Sequence, residues 1–83
     1  MTSSLKEASI AIISAINAYE EAKKEANIGA ARDSMLSLQK STLVIIEQSN
    51  NLEYDLSFVH DRSISKNEYL KKWRDIAIDI ANK

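Results

Sequence analysis

Apolar residues recur along this chain at intervals of three and four, the spacing that lays a stripe down one face of a helix. Leu5, Ala8, Ile12, Ala15, Tyr19, Ala22 and Ala26 keep it without a miss. Ile28, Ala31, Met35, Leu38, Thr42, Ile45, Ser49, Leu52, Leu56 and Val59 keep it for more than four heptads, interrupted only by polar Thr42 and Ser49. This second run has coiled-coil spacing. The two series are out of phase, because the first would continue from Ala26 to Gly29 whereas the second begins at Ile28. A phase break beside the only glycine predicts a turn. Asn27 and Gly29 both tolerate the left-handed conformation that ends helices, and Asp33 or Ser34 would cap the helix that follows. Without the break the chain would form one helix of about 60 residues, about 90 Å long, and only another copy could cover its seam.

A third stripe runs through Tyr69, Trp73, Ile76 and Ile80. Ser65 and Glu68 precede it in the S-x-x-E pattern of a capping box, a pattern also seen at Ser4 and Glu7 ahead of the first stripe. Asp61, Arg62 and Ser63 make a short polar connection. The chain therefore reads as one all-α domain over residues 1–83. It is a long antiparallel helical hairpin (about 4–27 and 31–60) with a shorter third helix (about 66–82), forming a three-helix bundle or a helical dimer. The expected core is Leu5, Ile12, Ile16, Tyr19, Met35, Leu38, Ile45, Leu52, Leu56, Trp73, Ile76 and Ile80. Ala8, Ala15 and Ala22 allow a neighbouring backbone to approach toward the short end of the usual ~8–10 Å helix spacing.

Composition agrees with helix and removes several alternatives. The 83 residues include no Cys, no Pro and one Gly. Tight hairpins thus lack raw material, and neither a disulfide scaffold nor a thiolate site is available. Hydrophobic residues at 45% and charged residues at 28% exclude a disordered tail. The net charge of −1 arises from a neutral stretch at 1–40, −3 over 41–62 and +2 over 63–83, which is no global footprint for nucleic acid or an anionic membrane. The run from Ile10 to Ile16 is too short to span a bilayer, and neither end carries a signal peptide or lipidation motif. The expectation is a cytoplasmic protein.

Chemistry has few places to reside. His60 is the only histidine. If it and Glu53 shared a helix they would stand about 10.5 Å apart, too far to chelate one ion. Glu20 and Glu21 lie beside Lys23 and Lys24 as an ordinary solvated face. One glycine cannot build a phosphate loop, and no nucleophile elbow is present. No catalytic residue, metal ligand or cofactor is therefore assigned, and the chain reads as a non-enzyme. The second helix has more apolar surface than one intramolecular neighbour can hide. Leu36, Leu43, Val44 and Ile46 lie off its main seam and are the candidate interface for another protein or for a second copy, with a homodimer favoured. The alternative is a small nucleic-acid regulator gripping phosphates through Lys71, Lys72 and Arg74, with Tyr69 and Trp73 interleaved for stacking.

Overall fold

The computed structural model describes residues 4–48 and 52–83. The element order is α1 (Ser4–Lys24), α2 (Ile28–Glu47), a single 3-10 turn at Ser57–His60, and α3 (Lys66–Ala81). There is no strand among the described residues, so the chain is all-α, with α1 and α2 closely packed and α3 shorter. α1 packs against both other helices, whereas α2 and α3 hardly meet. A helix with two neighbours needs two buried sides. Accordingly Ser9 and Ile16 are buried beside the foreseen row of Ala8, Ile12, Ala15, Tyr19 and Ala22. The Ser9 hydroxyl is satisfied locally, donating to the Leu5 carbonyl at 2.8 Å.

The turn between α1 and α2 lies earlier than the phase break suggests, and its left-handed residue is neither Asn27 nor Gly29. Ala26 takes that conformation, with φ of 54°. The Asn27 N–H donates to the Ala22 carbonyl (2.8 Å) and the Ala26 N–H to the Lys23 carbonyl (3.1 Å). These two bonds are the paired closure of a Schellman motif. Asn27 caps α2, its side-chain oxygen accepting from the Ala30 N–H at 3.1 Å. Gly29 falls inside the first turn of α2 without a positive φ, and Asp33 and Ser34 are interior to that helix. Ser4 already belongs to α1, and its hydroxyl accepts from Gln48 Nε2 at 3.1 Å, tying the open end of the hairpin.

The largest correction concerns the second helix, which ends at Glu47 rather than near residue 60. A helix over 31–60 would be about 45 Å long against about 31 Å for α1, leaving its last turns with nothing to pack on. The molecule instead measures 38 × 33 × 18 Å. Residues 52–56 are irregular and lead into the 3-10 turn. Ser49, assigned to the seam, lies outside the described residues. Leu52, Leu56 and Val59 are still half-buried against the core, but from this returning segment rather than from a helix. Phe58, beside them, is buried.

The start of α3 follows its capping signal, with the Ser65 hydroxyl accepting from the Glu68 N–H at 3.1 Å. Its buried residues are Leu70, Trp73, Ala77 and Ile80, with Tyr69 and Ile76 on the half-buried flanks. Trp73 is fully enclosed. Phe58 meets it edge-on at 5.4 Å between ring centroids and meets Tyr69 likewise at 5.8 Å. The segment 52–64 thus fills part of the cleft that α2 and α3 leave between them.

Candidate interaction surface on helix two

The buried side of α2 is set by Leu38, Thr42 and Ile45. Thr42 is one of the two polar interruptions of the second series. It is buried, and its hydroxyl donates within the helix to the Gln39 carbonyl at 2.9 Å. Counting 100° per residue from Leu38, Leu36, Lys40, Leu43 and Glu47 lie opposite the core, with Asp33 on one flank of that stripe and Arg32 on the other, all exposed. Leu36 retains 52% and Leu43 54% of its accessible surface. Two leucines one heptad apart, ringed by charges and turned to water, form an apolar strip on an otherwise polar face. Val44 and Ile46, the other two interface candidates, are half-buried against the core. Ile28, at the start of α2, is 80% exposed.

The basic residues of α3 are arranged differently from the reading in which they share one phosphate-gripping face. Arg74 turns to α1, its guanidinium donating to Asn17 Oδ1 at 2.9 Å and to Glu20 Oε1 at 3.3 Å. Lys72 is exposed but lies over the Phe58 ring, 5.9 Å from its centroid. Lys71 is exposed. Trp73 is enclosed and Tyr69 half-buried, so the two aromatics offer no paired stacking platform.

Three ionisable groups outside α2 are shifted by local bonds. The Asp55 carboxyl is held below its ordinary value, first by the Ser57 N–H donating to it at 3.0 Å and then by the Ser57 hydroxyl. The Asp61 carboxyl is lowered chiefly by the Ser63 hydroxyl (2.6 Å) and next by the Ser63 N–H (2.9 Å), with Lys72 adding to both aspartates from a distance. The Lys83 ammonium is raised, first by Tyr54 and further by Asp79, which lies 3.6 Å away. The Tyr54 hydroxyl also donates to Asp79 Oδ2. These contacts fasten the irregular segment and the end of α3 rather than assembling a reactive centre. His60 and Glu53 are both exposed and do not share a helix. Among the described residues no group of three or more His, Asp or Glu converges to hold a metal.

The cleft between α2 and α3 is a feature the sequence reading did not find. An open groove of about 410 Å³ remains there, walled by Met35, Leu38, Val59, Ile64 and Tyr69, with Lys66 at its rim. It exists because residues 52–64 fold back, and no spacing rule signals that. Among the described residues no helix is long and apolar enough to cross a membrane. Compared with known families, with curated proteins and with solved structures, the chain matches none.

Proposed function

We propose that this protein is a non-catalytic interaction module that recognises a protein partner through the outer stripe of α2. The observation that carries this reading is the exposure of Leu36 and Leu43, one heptad apart on a helix whose other side is already committed to the core. Helix-in-groove recognition uses anchors at such spacing, with affinity from apolar burial and a charged rim that sets orientation. Each leucine has about half its surface left to bury, about 2 kcal/mol apiece at the usual area coefficient. The flanking Arg32, Lys40 and Glu47 supply a rim of both signs.

The test compares immobilised wild-type chain with Leu36→Glu and Leu43→Glu in capturing protein from a lysate of the source cells. A protein retained by wild type, lost by both leucine variants and kept by Lys71→Glu/Lys72→Glu is the expected result. Retention should fall far less between low and moderate salt than phosphate contacts would make it fall. If the captured material is nucleic acid that washes off with salt and depends on Lys71 and Lys72, the phosphate-binding alternative replaces this reading. Both leucines lie on the solvent side of α2, so unchanged helicity and melting temperature in the variants accompany a genuine loss of binding.

A further inference from the structure

Resting on the reading that the outer stripe of α2 is the contact surface, we propose that its partner is a second copy of this chain, docked antiparallel about a two-fold axis passing between Gln39 and Lys40. The argument is the symmetry of the stripe itself. Leu36 and Leu43 stand equally far from that axis on opposite sides, and so do Arg32 and Glu47. An antiparallel second α2 therefore sets Leu36 against the other copy's Leu43 and Arg32 against its Glu47, and each contact occurs twice. Closed two-fold pairing requires such self-complementarity. A parallel arrangement would oppose Arg32 to Arg32 and Glu47 to Glu47, so the charges select the antiparallel one.

The side chains concerned are available for it. Among the described residues neither Arg32 nor Glu47 has an ion-pair partner within the chain, in contrast to Arg74, which is engaged by Glu20. Leu36 and Leu43 are each about half exposed, and α3 packs on α1 rather than over this face. Lys40, beside the axis, is exposed. A contact confined to one helix face lies at the small end of specific interfaces, and the association expected is weak, in the range of about 10–100 μM.

Sedimentation of the full chain from about 5 to about 500 μM at low ionic strength is the test, spanning that range. The weight-average mass is expected to rise from 9.3 kDa toward twice that value. Arg32→Glu and Glu47→Arg are each expected to weaken association about five- to tenfold, and the combined R32E/E47R swap to restore it to within about threefold of wild type. A chain that remains at 9.3 kDa throughout overturns self-pairing. So does a double swap no stronger than either single variant, since the pairs would then not face one another. A monomer that still captures a different protein through Leu36 and Leu43 overturns only this inference and leaves the interaction reading intact. Dimerisation indifferent to Leu36→Glu and Leu43→Glu overturns both.

Discussion

The two sides of α1 are packed by opposite means. Toward α2 the residues are small: Ala15 and Ala18 with Ser34 and Ser37, and Ala22 with Ala31, line shallow open grooves along the contact. Toward α3 they are larger and polar at the rim, with Ile16 beside Leu70 and with Asn17 and Glu20 holding Arg74. Beyond that rim Trp73 is enclosed and meets a ring supplied by the 3-10 turn rather than by a helix. Small residues in a row bring two backbones together, and such a contact is written in the sequence as a strict period. The aromatic side recruits Phe58 from an irregular segment, where no period applies. At the buried Ala15 the first kind of packing resists added volume, and at Trp73 the second resists lost volume.

Opposite substitutions test that contrast. Trp73→Ala is expected to cost about 3–5 kcal/mol, a large share of the ~5–15 kcal/mol total stability of a small domain. Ala15→Leu, which adds volume where the helices approach, is expected to cost about 1–3 kcal/mol. Urea unfolding followed by circular dichroism measures both. Equal tolerance of the two changes would remove the distinction. Trp73 has a further peculiarity, since its indole N–H finds no hydrogen-bond acceptor among the described residues. Its large apolar area evidently outweighs that unmet donor, which typically costs about 1–3 kcal/mol.

The turn that joins the small-residue pair offers a gain of stability. Ala26 adopts a left-handed conformation that costs a residue with a Cβ about 1–2 kcal/mol, so Ala26→Gly is expected to stabilise by about 1 kcal/mol. Gly29 lies within α2, and a Cβ built on it would meet only Asn27 Oδ1, at an ordinary 3.8 Å. Gly29→Ala is thus expected to add about 0.5 kcal/mol. The combined variant moves the glycine to where the backbone needs it, and a melting temperature below wild type would contradict the turn geometry.

The smallest effect belongs to the irregular segment on the aromatic side. The folded state holds the Asp55 and Asp61 carboxyls below their ordinary values, while the unfolded chain leaves them near the reference of about 3.9. What they contribute is therefore complete above about pH 4 and is lost as the pH falls through the folded-state values. Both groups are solvent-exposed, so the change is modest. Asp61→Asn is expected to flatten the acid limb of stability below about pH 4 and to leave its slope near pH 7 unaltered. Melting temperatures recorded from pH 2 to 7 check this, and an acid limb identical to wild type would show that the Ser63 bonds to Asp61 contribute nothing.

Legibility in the sequence followed the same divide. The seam of α1, the cap at Ser65 and the core placement of Leu38, Ile45, Trp73 and Ile80 could be read directly, because each depends on residue type and on distance along one helix. Leu36 and Leu43 could be read as off-seam for the same reason. Val44 and Ile46 could not be separated from them. Whether an off-seam residue is covered depends on which neighbour lies beside it, and both are half-buried against the core. Leu52, Leu56 and Val59 misled more seriously. Their spacing fits a helix, yet Leu52 and Leu56 reach the core from an irregular segment and Val59 from the 3-10 turn.

By itself the sequence determined that this chain is helical, the main buried row of α1 and which residue caps the last helix. Those properties come from side-chain chemistry at intervals of one to four residues, within reach of local backbone geometry. Only the tertiary structure decided where α2 ends, that Ala26 rather than Gly29 turns the chain, that Arg74 is engaged by α1, and that a groove remains between α2 and α3. Apart from the Ala26 turn, which closes through its own local bonds, each of those outcomes is a competition between distant segments for the same apolar surface or the same charge. Residues far apart in the chain enter it together, and no local pattern records which of them prevails.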